Sequence, residues 1–230
     1  MQTELQQKTV LLIGASRGLG FAMVEEYLAR GWHVIATARP DSMDRLRKLS
    51  GALEIETLDI TVPQQIAALR ARLAARRLDL LFVNAGVKND DRETIADVST
   101  DEFVRVMVTN ALSPMRVIEA FADLVQPHGT LAVMSSGQGS VANNTNGKYE
   151  VYRSSKAALN MLMRSFAARH ADDSRTLLLM APGWVRTDMG GPDARLGIDE
   201  SIPNLVTTID SQQGRAGLHY LDYLGRVVPW

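Results

Sequence analysis

The chain has 230 residues, 46% of them apolar, enough to bury a sizeable core and better matched to one α/β domain over residues 1–230 than to two. Its formal net charge of −1 gives no electrostatic argument for nucleic acid or an anionic membrane as partner. It has no cysteine, which excludes disulfides and thiolate chemistry, and His33, His128, His170 and His219 have no ligand spacing, so no metal is expected.

Met1 to Lys8 is polar and lacks an apolar signal core, and no apolar run approaches the ~18 residues needed to cross a bilayer. A soluble, cytoplasmic protein is expected. The first apolar run, Thr9 to Ile13, is closed by Gly14. Phe21 to Arg30 has helical spacing and stops at Gly31. Strand-like runs follow at His33–Ala38 and Leu53–Leu58. Pro63 to Arg77 reads as a helix, with Thr61 near its cap and Arg70, Arg72, Arg76 and Arg77 on a solvated face.

Leu78 to Val83 is the fourth run, stopped by Asn84-Ala85-Gly86. Ser99 to Leu124 reads as one long helix, capped by Ser99 with Glu102 three residues on and kinked by Pro114. A run at Thr130–Ser135, a helix over Tyr152–His170 and a run at Arg175–Met180 come next, then a helix near Asp199–Gln212 and a short strand near Leu218–Leu221. Apolar strands alternating with helices predict a Rossmann-type, doubly wound and mostly parallel seven-stranded sheet with helices on both faces.

The first strand runs into Gly14-Ala15-Ser16-Arg17-Gly18-Leu19-Gly20, and a helix pattern starts at once behind it. Gly14 permits the tight turn, Gly18 lets the backbone approach a pyrophosphate, and Gly20 allows helix and strand to close. The helix N-terminus then offers N–H groups and a positive dipole end. The second strand ends Ala36-Thr37-Ala38-Arg39, with no acid until Asp41. An acid there would hold ribose hydroxyls, whereas Arg17 and Arg39 suit a 2′-phosphate. The expected cofactor is NADP(H).

Tyr152 and Lys156 lie four apart on one helix face. Hydride delivery to a carbonyl carbon leaves an alkoxide that needs a proton, and a phenol can supply it. The phenol's ordinary pKa is about 10, and a neighbouring ammonium should lower it. Ser136 is placed to stabilise charge on the carbonyl oxygen. Strand alternation should point Ser135 away from the site.

Together these residues resemble the short-chain dehydrogenase/reductase family, classical type, over nearly the whole chain. The motifs fall in the family's order: Gly14 to Gly20, Asp59, Asn84-Ala85-Gly86, Asn110, Ser136, Tyr152 with Lys156, and Pro182-Gly183 with Thr187. Asn143 to Gly147, Tyr152 to Lys156 and Pro182 to Met189 are similar to the carbonyl-reductase and C-factor-like subgroup. The resemblance implies that Asp59 and Ile60 border the adenine, and that Asn84, Ala85 and Gly86 support the cofactor pocket. It implies that Asn110 holds a water in a proton relay with Lys156, which also bonds the nicotinamide ribose. Pro182, Gly183, Val185 and Thr187 would contact the nicotinamide carboxamide.

Two departures stand out. Ile13 occupies the usual place of a threonine, removing one local hydrogen bond. Ser136 precedes Tyr152 by 16 residues, more than is usual, with the extra residues in Val141 to Lys148.

Gln138, Tyr149, Trp184 and Met189 are candidate pocket walls for a small carbonyl or alcohol substrate, under a segment that Gly190, Gly191 and Gly197 should make mobile. Trp32 and Trp184 are expected near the site. An NAD-dependent alcohol dehydrogenase of the same fold and an NADP(H)-binding signalling or redox-sensing protein are the alternatives. Related proteins form homodimers or homotetramers through helices starting near Asp101 and Tyr152, and Ala157 to Ala168 is compatible with that.

Overall fold

Residues 7–230 are described by a computed structural model. Thr9–Ile13 (β1), His33–Ala38 (β2), Leu53–Thr57 (β3), Leu78–Val83 (β4), Val125–Met134 (β5), Thr176–Ala181 (β6) and Gly217–Asp222 (β7) form one sheet in the order β3-β2-β1-β4-β5-β6-β7. Every neighbouring pair is parallel, a stricter result than the mostly parallel sheet expected. The central strands are apolar on both faces, so both faces must be covered. Alternation along β1 shows how: Leu11 and Ile13 enter one core with Phe121 and Phe166, while Val10 and Leu12 enter the other with Tyr27 and Ile209.

The cover comes from Gly18–Ala29 (α1), Pro63–Arg72 (α2), Thr100–Met107 (α3), Ser113–Phe121 (α4), Glu150–Arg169 (α5) and Ile198–Gln212 (α6). α1 and α6 supply residues to the second core; α2, α4 and α5 supply the first. The chain winds outward from β1 to β3, then returns to the other side of β1 as β4. That reversal leaves a crevice at the C-terminal ends of β1 and β4, where ligands of such sheets bind.

Two local expectations are corrected. α2 ends at Arg72 instead of Arg77, because the chain must reverse before β4 starts at Leu78. Val62 is the N-cap, with Thr61 next to it as expected, and the Thr61 hydroxyl donates to Asp59 Oδ1 at 2.6 Å. The basic run is also not merely solvated: Arg72 and Arg76 pair with Glu56 and Glu54 of the edge strand β3 at 2.8 and 2.6 Å. Charges laid along an edge discourage pairing with another chain.

The long helix expected from Ser99 is divided. Ser99 Oγ accepts from Glu102 N at 3.1 Å, as the S-x-x-E spacing predicts. A π-helical turn then occupies Val108–Leu112 between α3 and α4. Pro114 lies just beyond it. Proline has no N–H to donate and its ring crowds the carbonyl four residues earlier, here that of Asn110. The wider turn absorbs that conflict, so the sequence's kink signal appears as a π bulge centred on a candidate site residue.

Candidate active site

The glycine loop is held from two strands. Gly14 has φ +88°, and a Cβ on it would sit 2.8 Å from Ala85. Asn84 Nδ2 donates to the Gly14 carbonyl at 2.6 Å, while the amides of Asn84 and Ala85 both donate to the Ile13 carbonyl. A further bond reaches the loop from β2: Thr37 Oγ1 accepts from Gly14 N at 3.0 Å. Thr37 is 1% exposed, so this bond is shielded from competing water.

The N-terminus of α1 stays open. Arg17 is the N-cap and makes no side-chain cap bond, unlike Ser99 at α3. The first-turn N–H groups therefore point outward without a side-chain acceptor. Gly18 faces Thr187, with a hypothetical Cβ 3.9 Å from Thr187 Cγ2. A bare backbone, an uncapped helix end and a facing hydroxyl residue suit a pyrophosphate group.

The loop after β4 leads to the second cluster. Gly86 lies between Asn110 and Lys156: a Cβ there would be 3.4 Å from Asn110 Oδ1 and 3.5 Å from Lys156 Nζ. Asn110 is fully buried and its side chain is committed. Oδ1 accepts from Val87 N at 2.8 Å, while Nδ2 donates to Val87 O at 2.7 Å and Ser155 Oγ at 2.9 Å. Ser155 Oγ in turn donates to the Tyr152 carbonyl at 2.7 Å. The π turn is thereby tied to the first turn of α5. The Asn110 side chain is thus fully engaged, and its own carbonyl cannot receive the usual helical N–H bond from Pro114.

Lys156 is 3% exposed, and Nζ donates to the Met134 carbonyl at 2.8 Å. Burial lowers its pKa to about 8. Nζ is also 5.8 Å from the Tyr152 ring centroid. The expectation that Lys156 lowers the tyrosine pKa is corrected: burial dominates and raises Tyr152 to about 12, with the Ser136 hydroxyl pulling the other way. A buried phenol resists ionisation because phenolate loses its hydration.

Ser136 lies two residues past the end of β5, not on the strand, and caps the turn Gly137–Gly139. Its Oγ accepts from Gln138 N at 3.1 Å, so its own proton is available to an oxygen in the site. Ser135 is separated from it as expected: its hydroxyl donates to Asn160 Oδ1 at 2.6 Å inside the fold. Tyr149 precedes α5 in the left-handed region at φ +61°. A non-glycine residue there costs roughly 1–2 kcal/mol. Arg153 helps hold that entry, its amide donating to Tyr149 O and its Nε to Lys148 O at 2.7 Å. The long Ser136–Tyr152 spacing is thus taken up in Val141–Lys148, which is exposed throughout.

The segment after β6 was expected to be loose, but its polar groups close on one another. Trp184 Nε1 donates to Gly190 O at 2.8 Å, Arg186 Nη1 to Ala194 O at 3.0 Å, and Gly190 N to Thr187 Oγ1 at 3.1 Å. Val185 and Leu196 form a parallel bridge. Ser201 Oγ anchors the Pro182 carbonyl at 2.7 Å, and Gly183 takes φ +84° against Leu196. Gly190 is held by two of these bonds, and Gly191 N donates to Thr187 O at 2.9 Å.

Arg17 meets this segment, with Nη1 2.9 Å from Asp188 Oδ2 in an exposed pair. Together they border a cleft of about 450 Å³ that also includes Gly18, Phe21, Thr187 and Arg45. Arg45, which sequence reasoning missed, stacks 4.3 Å from the Phe21 ring centroid. Arg39 is exposed where β2 leaves the sheet, and does not border that cleft. Asp59 uses Oδ1 on Thr61, while Ile60 is buried beside it.

Trp32 is misplaced by the sequence reading. It precedes β2 and packs on Tyr27 near the far end of α1, at a ring separation of 5.0 Å. The six residues of β2 separate it from the crevice, about 20 Å at the usual strand rise. Of the two tryptophans, only Trp184 belongs to the site region. Among the described residues no acidic, histidine or cysteine cluster could hold a metal, and no helix is long and apolar enough to cross a membrane.

A family model for short chain dehydrogenase matches residues 8–195. A putative short-chain dehydrogenase/reductase from Burkholderia multivorans, solved with bound NADP, is 57% identical, with a TM-score of 0.93 over 97% of this chain and 100% of that one. A carbonyl reductase from Pseudomonas aeruginosa, solved in complex with NADP, is 33% identical, with a TM-score of 0.89 over 98% of this chain and 100% of that one. C-signal of Myxococcus xanthus is 38% identical over 156 residues, 66% of this chain and 93% of that protein. With the glycine cradle, the Tyr152–Lys156 pair and the sheet order, these matches show that the chain belongs to the short-chain dehydrogenase/reductase family, a family of oxidoreductases.

Proposed function

We propose that the protein is an NADP(H)-dependent oxidoreductase that transfers hydride between nicotinamide and a small carbonyl or alcohol, with Tyr152 as general acid and base. The observation that carries this reading is the arrangement of Tyr152 one helical turn before the buried Lys156, whose Nζ lies 5.8 Å from the Tyr152 ring, with Ser136 on the turn that rests against Lys156. The cofactor fits the uncapped α1 terminus and the bare Gly18 backbone opposite Thr187. Gly14, Ser16, Gly18, Leu19 and Gly20 would line its pyrophosphate. Arg17 and Arg39 would hold a 2′-phosphate, Asp59 and Ile60 the adenine, and Pro182 to Thr187 the nicotinamide end. When bound, the reduced cofactor supplies the hydride.

In reduction, Ser136 donates a hydrogen bond to the substrate oxygen, and Tyr152 gives that oxygen its proton as charge develops. A phenol with a pKa of about 12 is in the acid form needed for this at neutral pH. Lys156 is charged below about pH 8 and stabilises the phenolate left behind. Gly86 keeps the space between Lys156 and Asn110 open, and the Asn110 carbonyl offers a resting place for a relay water. Exposed apolar residues on α3 and α5, Val104, Met161 and Leu162, support assembly into a homodimer or homotetramer.

Separate titrations with NADPH and NADH, read by calorimetry and Trp184 fluorescence, test the cofactor. Preference for NADPH, lost in the R17A/R39A double variant, is the expected result; preference for NADH overturns it. Turnover of aldehydes and ketones with NADPH, abolished in Tyr152→Phe, tests the reaction. The likeness to C-signal supports a second reading, a nucleotide-binding signalling protein with little turnover, which gains if Tyr152→Phe leaves the cellular phenotype intact.

A further inference from the structure

Beneath Ser136 lies a buried polar network that the proposed reaction does not use directly. Tyr220, on β7, is 2% exposed, and its hydroxyl donates to the Ser136 carbonyl. Burial raises the Tyr220 pKa, and the Asn160 and Ser135 side chains pull it back down. Asn160 of α5 accepts from Ser135 Oγ at 2.6 Å and donates to Gly139 O at 3.2 Å. The loop carrying Ser136 is therefore held from below by one helix and one strand. A Cβ on Gly139 would lie 2.9 Å from Asn160 Nδ2 and 3.0 Å from Lys156 Cβ, so the loop rests directly on the helix turn that carries Lys156.

We infer that Tyr220 is a positioning residue for Ser136 and Tyr152: its hydroxyl sets the direction of the Ser136 peptide and, through it, of the Ser136 side chain. This rests on the reading of Ser136 and Tyr152 given above. The Ser136 carbonyl and hydroxyl branch from one residue, and Oγ is further tied to Gln138 N at 3.1 Å. Turning the peptide therefore turns the hydroxyl. A purely structural need for the Tyr220 hydroxyl is small, because Gly139 N also donates to the Ser136 carbonyl, at 2.9 Å. Removing the phenol oxygen leaves that carbonyl paired. The Tyr220 ring is fixed independently: it packs on Trp230 at 5.5 Å, and the Arg164 guanidinium lies 4.3 Å from the Trp230 ring centroid.

The test is Tyr220→Phe in the full chain, with Ser135→Ala as a second cut in the same network and Tyr152→Phe alongside. With NADPH and an accepted carbonyl, Tyr220→Phe should lower kcat about tenfold, since sub-ångström misplacement of a reacting group has effects of this order. KM for both substrates should stay within about twofold, and the melting midpoint should be unchanged. In alcohol oxidation, which needs the phenolate, the rising limb of kcat against pH should move to higher pH, because a misdirected Ser136 no longer eases Tyr152 ionisation. Ser135→Ala should show the same split in weaker form. Wild-type kcat and pH profile in Tyr220→Phe, with Tyr152→Phe inactive, would overturn the positioning role alone. Loss of kcat with a lowered melting midpoint and an unmoved pH profile would overturn it too, leaving only a packing role. Full turnover in Tyr152→Phe would remove both the site reading and this inference.

Discussion

The two halves of the crevice are built by different means. The half proposed to hold the nucleotide, around β1, α1 and the start of the loop after β4, is made of close backbone approaches: Gly14 against Ala85 and Gly20 against Gly14 O. The half proposed to carry the reaction, around the ends of β5 and β7 and the first turns of α5, is made of buried polar side chains paired with one another or with backbone: Asn110 with Ser155, Ser135 with Asn160, Tyr220 with the Ser136 carbonyl. One half is defined by where atoms are missing and the other by where they are paired. Adding a methyl should therefore damage the first, and removing an oxygen or nitrogen should damage the second.

The largest effect is expected from Tyr152→Phe. It should lower kcat by about 10³-fold, within the range for loss of a general acid, while NADPH affinity stays within about twofold. Gly14→Ala should do the reverse. It places a Cβ 2.8 Å from Ala85 on a residue at φ +88°, so NADPH affinity should fall at least ~10-fold, with kcat at saturation close to wild type. Calorimetry with steady-state kinetics separates the two, and if both variants lose the same parameter the division into halves fails. Asn110→Ala leaves Val87 N, Val87 O and Ser155 Oγ without their partner, and should reduce stability by about 1–3 kcal/mol in urea unfolding.

The pH dependence sharpens the same contrast. Tyr152 keeps its proton up to about 12, whereas Lys156 loses its charge as pH rises through about 8. For reduction, kcat/KM should be level below that point and then fall, approaching one decade per pH unit. Cofactor titrations carried out across the same range would show whether Lys156 acts in binding as well. A profile flat to pH 10 would mean that the Lys156 charge is not required. The smallest effect is Thr37→Val, which removes the acceptor for Gly14 N and should cost about 1 kcal/mol, read as a few-fold loss of NADPH affinity.

Much of this was legible in the sequence because it is local. The glycine loop announces itself by following an apolar run and preceding a helix, and Tyr152 and Lys156 share a helix face by spacing alone. All seven strands and the order of the elements followed from alternation between short apolar runs and helical periods. What stayed hidden depends on residues far apart in the chain. Thr37 reaches the Gly14 amide only because parallel register brings β2 beside β1. Tyr220 reaches Ser136 across 84 residues through the placement of β7 beyond β6. The pKa of Tyr152 was misjudged because desolvation is a property of the packed site, not of the Tyr–Lys spacing. The glycines after Pro182 suggested freedom, but their partners, Thr187 and Trp184, bind them within the loop.

That last loop has a consequence for how the protein could change. Residues 184–196 begin and end on neighbouring backbone, since Leu196 N donates to Trp184 O and Arg186 N to Leu196 O. Most of the bonds that shape the loop start and finish inside it, as a cassette clipped at its neck. Such a segment can be exchanged for a longer or differently lined one without reopening the sheet, provided that Arg186 and Thr187 are kept. The rest of the crevice, built on the sheet ends and α5, would stay in place through such an exchange.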